Sequence, residues 1–411
     1  MSQSAFNRAT AYLGLEQIVL IACVAFFILN FGTSLWLTLF AVYLDNTGLT
    51  AIWIGAILTG INASISLTYL PSGRLSDIVG RRTPLIAGST LIAINTFFLY
   101  FTKNPLLIMA LTIFYGVGQG LATPAVNALV AEASHPGKSV MAYASYYISI
   151  LSGTVLGSGL SGLLAASFGF QSLFPIASLL LVVATAIIYL SIKEVNGRWR
   201  GPYRLAFKES LRKSISGTAS LLRTDRELLL LAVALSFHAF GFYMLNPYIA
   251  LYATVSVRLD VVQAGIVVAL WNIGMISTQI PFGRMTDKLG GERMLFMHFI
   301  LSTLSWVAYT FSNGFLAAAV TMTIFGIIGA MDMPARRIIM LEHATGDSGK
   351  ATIIGVIDSV TTGVGIVAPL IGAIGWAEIG YSAPFMIGAF VNVFACLPML
   401  VLLRRKRRTT V

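Results

Sequence analysis

Long apolar runs, separated by short polar or basic stretches, recur from residue 16 to residue 403. A hydrocarbon core about 30 Å thick is crossed by roughly 20 mostly apolar residues in helical form. Twelve runs reach that length, near 16–44, 51–71, 83–101, 105–132, 139–167, 171–192, 227–254, 261–281, 293–311, 315–341, 350–376 and 382–403. None shows the period of two that marks the strands of a membrane barrel, so helices are the expected elements. The first run follows about fifteen mixed residues and is too long for a signal-peptide core, which marks it as a retained span.

One polar and basic segment, 193–226, divides the chain near its middle. Within it Phe207, Leu211, Ile215, Thr218 and Leu222 recur at helical spacing, with Lys208, Arg212 and Lys213 between them. That arrangement predicts an amphipathic helix on the inner membrane surface, with a solvated linker as the alternative. The expected organisation is a six-helix bundle over 1–192, a cytoplasmic linker over 193–226, and a second six-helix bundle with a basic tail over 227–411.

Composition sharpens this. Hydrophobic residues make up 57% of the 411 and charged residues 10%, against roughly 25% charged in an average soluble domain. So little charge cannot cover a water-facing surface, which excludes a soluble enzyme, a disordered chain and a disulfide scaffold. The net charge of +11 does not point to nucleic acid, because the basic residues sit in short clusters between spans, as at Arg404, Arg405, Lys406, Arg407 and Arg408. With both termini inside, all 27 Lys and Arg except Lys103 and Arg258 fall on the cytoplasmic side, as the positive-inside rule requires. The expected location is therefore the cell membrane, multi-pass, with both termini cytoplasmic. Cys23 and Cys396 lie in apolar runs of different halves and are expected to be free thiols.

The halves repeat at an offset of 210 residues. Pro71, Gly73, Arg74, Asp77 and Gly80 match Pro281, Gly283, Arg284, Asp287 and Gly290; Gly116, Pro124 and Glu132 match Gly326, Pro334 and Glu342. Asn62 matches Asn272, and Gly153 with Gly162 match Gly363 with Gly372. Parallel repeats of this kind are typical of alternating-access transporters. The stretch Gly73-Arg74-Leu75-Ser76-Asp77-Ile78-Val79-Gly80-Arg81-Arg82, with its weaker copy from Gly283 to Arg293, resembles the signature loop of the major facilitator superfamily. The resemblance covers essentially the whole chain. It implies an all-α integral membrane fold of twelve transmembrane helices in two pseudo-symmetric bundles, and a secondary transporter rather than an enzyme, without a cofactor.

The glycines of this loop are expected to turn the chain tightly between helices. In the family arrangement Asp77 meets the start of the eleventh span near Gly349–Thr352, and Asp287 meets the fifth span near Ser139. A carboxylate at a helix N-terminus gains about 0.3–2 kcal/mol. Gly73, Arg74, Asp77, Gly80, Arg81, Gly283, Arg284 and Asp287 are thus the expected gating residues.

Differences between repeat mates point to the particular job. Tyr115, Gln119, Ala122 and Val126 on the fourth span correspond to Phe325, Gly329, Asp332 and Arg336 on the tenth. Asn127 becomes Arg337, and Ile148 on the fifth span becomes Asp358 on the eleventh. Asp332 and Asp358 are expected roughly 12–14 Å inside the cytoplasmic boundary, a depth at which ionisable groups face a partner or a wet cavity. Asp332 and Arg336 stand at the i,i+4 spacing of an ion pair, and Asp358 would compete for the same arginine or titrate. Coupling residues are therefore Asp332, Arg336 and Asp358; a static salt bridge with Arg337 snorkelling outward is the alternative. The substrate-binding candidates are Asn30, Ser34, Asn62, Tyr115, Gln119, His238, Asn246, Trp271, Asn272, Asp332 and Arg336. His238 is also a candidate proton carrier.

Gly153, Gly157, Gly159 and Gly162 resemble the glycine-rich motif of antiporters in the superfamily, with Ser158 and Ser161 departing from it. The arginine that proton-coupled drug exporters carry early in the fourth span is absent from Leu111–Gly116. Gly137-Lys138-Ser139 lacks the glycine a nucleotide loop needs, since Glu132 stands there. The expected function is proton-coupled efflux of a small organic solute by a monomer, with a passive facilitator, a substrate-sensing receptor or uptake of an organic anion as alternatives.

Overall fold

The computed structural model describes residues 16–133, 139–192, 223–343 and 347–409. The amphipathic helix expected within 193–226 lies outside the described residues up to position 222. Among the described residues, ten helical stretches have the length and apolarity to cross a membrane. The expected third and ninth spans are also helices, Arg82–Leu99 and Gly291–Tyr309, but they carry more polar residues, including Asn95, Thr96, Glu292 and His298.

In chain order the helices are α1 (Gln17–Leu37), α2 (Phe40–Asn46), α3 (Ala51–Val79), α4 (Arg82–Leu99), α5 (Pro105–Glu132), α6 (Ser139–Phe168) and α7 (Leu173–Ser191). There follow α8 (Arg226–Leu245), α9 (Ile249–Val255), α10 (Val261–Leu289), α11 (Gly291–Tyr309), α12 (Phe315–Gly329) and α13 (Asp332–Glu342). The last four are α14 (Asp347–Val364), α15 (Ala368–Glu378), α16 (Ala383–Val393) and α17 (Cys396–Thr409). The starts are capped where the sequence supplies a short acceptor: Asn104 accepts from Leu106 and Leu107, and Asp260 forms a reciprocal capping box with Gln263.

The chain forms two compact units. One takes the described residues up to Thr38 and those from Leu67 to 192; the other takes Leu39–Ser66 and the described residues from 223 onward. Segment 39–66 thus packs with the second half of the sequence. Thr59 Oγ1 accepts from the Leu370 amide at 3.1 Å, and a methyl group at Gly55 would meet the Pro369 carbonyl at 3.1 Å.

In the first unit α1 packs on α6 and α7, while α4 packs on α5 and α7. Lipid supplies no hydrophobic drive between helices, so close backbone approach through small residues does the work. A methyl on Gly157 would sit 2.6 Å from the Phe31 carbonyl, and one on Gly153 would sit 2.3 Å from the Phe27 carbonyl. Gly88 on α4 and Gly118 on α5 face each other so closely that a methyl on either would stand 2.5 or 2.7 Å from the other's carbonyl oxygen. In the second unit Gly241 on α8 and Gly388 on α16 make the same kind of crossing, at 2.5 and 2.8 Å. Its interior is built from Leu231, Leu235, Met294, Phe299, Met340 and Ile357.

The repeat survives as geometry. α1 ends at Leu37 and α2 resumes at Phe40; α8 ends at Leu245, a 3₁₀ turn takes Asn246–Tyr248, and α9 resumes at Ile249. Both interruptions occupy the same repeat position. The fourth and fifth spans, α5 and α6, run unbroken, whereas their mates are interrupted at Ala330–Met331 and again at Gly365–Val367.

The signature loop differs from expectation in one respect. α3 and α10 continue through it, so Gly73 and Gly283 are helical and have open space beside them. Only the second glycine of each copy makes the turn, with φ of 94° at Gly80 and 86° at Gly290, a conformation that favours glycine.

Two predictions follow from this packing. Gly157→Val should lower the unfolding temperature of the detergent-solubilised protein, by an overpacking cost of about 1–3 kcal/mol, while Gly73→Ala, in a helix with open space beside it, should raise it slightly, by a gain of about 0.5–1 kcal/mol. The second concerns His343, whose Nε2 lies 3.0 Å from Glu227 Oε2 and whose Nδ1 donates to the Ile339 carbonyl at 2.9 Å. Burial works against the imidazolium, but the Ile339 carbonyl and Glu227 outweigh it and raise the pKa above the ordinary 6.5. A raised folded-state pKa gives stability that is complete below the unfolded value and lost as pH rises through the folded one. Thermal unfolding should therefore show His343→Gln less stable than the parent near about pH 6, with the gap closing by about pH 9.

Candidate functional site

The interruption at Ala330–Met331 starts a new helix, α13, inside the tenth span, with Asp332 in its first turn. A carboxylate is favoured at that end of a helix. Asp332 and Arg336, one turn apart, form a two-point ion pair: Arg336 Nε donates to Asp332 Oδ1 at 3.1 Å and Nη2 to Oδ2. Their side chains are 22% (Arg336) and 13% (Asp332) exposed, so the pair lies largely out of water. Asp358 takes a different arginine from the one expected. Arg337 Nη2 donates to Asp358 Oδ2 at 3.0 Å, linking α13 to α14.

An aromatic cluster is built in the same unit. Trp271 on α10 stacks on Phe325 of α12 with centroids 5.4 Å apart and planes 9° apart. Phe242 on α8 lies 6.0 Å from Trp271 and 6.3 Å from Phe325, and Trp306 on α11 lies 6.1 Å from Phe325. The indole N–H groups of Trp271 and Trp306 are buried without a hydrogen-bond partner among the described residues. An unmet buried donor costs about 1–3 kcal/mol, so an acceptor brought by a ligand gains more there than in water. Beside Gly329, the repeat mate of Gln119, a methyl would stand 4.0 Å from Trp271 Nε1 and 3.3 Å from Met275 Cε, so the flexible tip of Met275 borders the indole on that side.

The other candidates are dispersed. In the first unit Asn30 donates to the Phe26 carbonyl one turn back at 2.8 Å, Ser34 is half-buried, and Gln119 donates to the Tyr115 hydroxyl at 3.1 Å. Tyr115 is buried edge-on against Trp36 at 5.2 Å. In the second unit Asn272 is buried and donates to the Val268 carbonyl at 3.0 Å, Asn246 opens the 3₁₀ turn, and Asn62 Nδ2 is buried without a partner among the described residues. His238 is held by residues that sequence reasoning missed: Asn392, 2.9 Å from its Nδ1, and His298, 3.2 Å from its Nε2. The repeat carried the signal, since the mates of His238, His298 and Asn392 are Ile28, Gly88 and Val182.

At the signature loop Arg81 gathers the charge. Its Nη2 lies 2.5 Å from Asp77 and 2.6 Å from Glu132, and its Nη1 donates to Ser76 Oγ at 2.7 Å. Asp77 remains 59% exposed. The second copy lacks this cluster: Gly291 replaces Arg81 and packs so tightly on α13 that a methyl would meet the Ala335 carbonyl at 2.6 Å. Arg284 and Asp287 are exposed there.

Comparison with known proteins places this geometry. The Major Facilitator Superfamily profile matches residues 20–256 and 231–411. The chain belongs to that superfamily of membrane transporters, whose members here are transporters rather than enzymes. It is 24% identical to the multidrug resistance protein MdtG of Dickeya zeae over 404 residues, covering 97% of each chain. It is 22% identical to the multi-drug resistance efflux pump PmrA of Streptococcus pneumoniae over 386 residues, 92% of this chain and 94% of that protein. Among solved structures the nucleoside transporter NupG superposes with a TM-score of 0.75 at 12% identity, over 94% of this chain and 99% of that one. The last likeness establishes the fold alone.

The ion pair generates a prediction. Asp332→Asn should destabilise the protein by on the order of 2 kcal/mol, below the roughly 3–5 kcal/mol of a fully buried pair. Adding Arg336→Gln should recover part of the loss. Unfolding temperatures of the two single variants and the double variant close the cycle.

Proposed function

We propose that the protein exports small aromatic or amphiphilic solutes from the cytoplasm across the cell membrane by alternating access, in exchange for protons, as a monomer with both termini inside. The observation that carries this reading is the Trp271–Phe325–Phe242 cluster with its unmet indole N–H, in the same unit as the Asp332–Arg336 pair. Stacked rings accept flat apolar bodies of varied shape, and a single N–H orients a polar substituent. Family membership supports transport, and the relatives' names support efflux of varied compounds.

The Arg81–Asp77–Glu132 cluster has the chemistry of a cytoplasmic latch. Asp77 is the more exposed of the two carboxylates, available to trade Arg81 for another partner, while Glu132 keeps Arg81 satisfied when it does. The second copy, with Gly291 in place of Arg81, has no such exchange to offer.

Purified protein in proteoliposomes tests the reading. An imposed proton gradient should drive accumulation of a fluorescent aromatic solute, and a proton ionophore should abolish it. Trp271→Ala should lower the apparent affinity by about tenfold, equivalent to about 1.4 kcal/mol. Flux that follows only the solute's own gradient would instead assign a passive facilitator.

A further inference from the structure

Two histidines meet inside the second unit in an arrangement that the aromatic cluster and the ion pairs leave unused. His238 on α8 is 9% exposed and His298 on α11 is 2% exposed. Their Nε2 atoms stand 3.2 Å apart. The far nitrogen of each ring is also engaged, His298 Nδ1 at 3.0 Å from the Ile328 carbonyl oxygen and His238 Nδ1 at 2.9 Å from Asn392 Oδ1. Asn392 on α16 is fully buried, and its Nδ2 donates to the Phe299 carbonyl at 3.0 Å and to Thr303 Oγ1 at 2.9 Å. A chain of four contacts therefore runs from the carbonyl of Ile328 to that of Phe299.

Each contact needs one hydrogen. A neutral imidazole offers one N–H and one lone pair, a primary amide in such a chain offers one donor end and one acceptor end, and a carbonyl oxygen only accepts. Two neutral histidines and Asn392 thus supply three donors for four contacts. Exchanging tautomers or flipping the amide does not change that total; it only moves the place where two lone pairs face each other. One added proton completes the chain. It joins the lone pair of one Nε2 and is shared with the other, and no bond breaks.

The surroundings fit a cation. Phe299 and Trp306 stack on the His238 ring at 5.1 and 5.6 Å, and aromatic faces attract positive charge. α12 contributes the Ile328 carbonyl, α16 the Asn392 amide and α11 the Ser302 hydroxyl, 3.4 Å from His298 Nδ1; a hydrogen donated by Ser302 to that nitrogen would leave its lone pair facing the Ile328 oxygen at 3.0 Å, so the chain stays one hydrogen short. Among the described residues the charged side chain whose field reaches both imidazoles is Arg336 on α13, which opposes the added charge but is itself held by Asp332. Trp306 bridges His238 and Phe325 of the aromatic cluster. A cationic solute stacked there and a proton on the pair repel each other through one ring, which is the antagonism that exchange requires.

We propose that His238 and His298 form a proton-binding site that holds one shared proton between their Nε2 atoms and acts as the coupling site. The coupling role rests on the proton-exchange reading above; the bound proton stands without it. The test is nitrogen NMR of the full-length protein in lipid nanodiscs with 15N-labelled histidine, four residues in all. The expected result is that two of the four take up a single proton together on acidification. Asn392→Leu removes two contacts and leaves two neutral donors for the two that remain. At the pH where half of the parent molecules hold the proton, that variant should hold it in about a tenth or fewer. Two histidines that stay neutral from about pH 8 to pH 5 in the parent protein overturn the site, whether or not Asn392→Leu folds. Proton-driven flux with a neutral pair sinks the site and keeps the exchange reading; a titrating pair with flux indifferent to the proton gradient does the reverse.

Discussion

The hydrocarbon core offers no water, so every polar group placed there must find its partner within the protein. That one constraint organises most of this structure. Hydroxyls and amides inside the spans turn back on their own helices, as Ser89 does to Leu85, Thr96 to Ile92, Asn30 to Phe26 and Asn272 to Val268. Charges within the spans come as pairs, Asp332 with Arg336 and Asp358 with Arg337. Against this background three of the departures stand out. The indole N–H of Trp271 is unmet among the described residues, and the His238–His298 chain is one donor short. Asn95, buried with both amide ends unmet, has no explanation in the packing.

The two halves solve the same packing problem with different chemistry. In the first, Gly88 and Gly118 bring α4 and α5 into backbone contact. Their mates are His298 and Ile328, and there the imidazole spans the gap to the equivalent carbonyl at 3.0 Å. An apolar crossing has become a hydrogen-bonded one. On the tenth span the exchange of Ala122 and Val126 for Asp332 and Arg336 goes together with an interruption of the helix that the fourth span does not have. Close glycine crossings occur in both halves, as at Gly241 and Gly388 in the second, but at these particular repeat positions the second half has put polar chemistry where the first has packing.

Spans, repeat and superfamily were legible in the sequence because lipid writes its demand directly into composition: a run of apolar residues is both necessary and nearly sufficient for a crossing helix. The i,i+4 pair of Asp332 and Arg336 was legible for the same local reason. What was not legible depended on rotation of helices far apart in sequence. Nothing local assigns Arg337 rather than Arg336 to Asp358, or brings His298 to His238 across 60 residues. The repeat held the missing clue, since Gly88 turning into His298 is as large a change as Ala122 turning into Asp332. The helical course of Gly73 and Gly283 was hidden for another reason, because a glycine next to a helix end reads as a turn even where the helix runs on to Val79.

These contacts also bear on where a transported proton would reside. The expectation from sequence was a carboxylate, with His238 as a further candidate, yet both candidate carboxylates already hold an arginine. Protonating either one gives up a charge-assisted hydrogen bond, worth about 1.5–3 kcal/mol, and leaves a guanidinium short of its counter-charge. Adding a proton to the histidine chain removes a lone-pair clash and makes a bond. The costs that remain are the buried charge and the opposing field of Arg336; the faces of Phe299 and Trp306 and the polarised chain of acceptors reduce the first, and Asp332 offsets the second. Loading a carboxylate breaks what the fold has built, whereas loading the imidazoles completes it. On that balance the proposed exchange has better reason to change the protonation state of the histidines than that of the arginine-bound carboxylates.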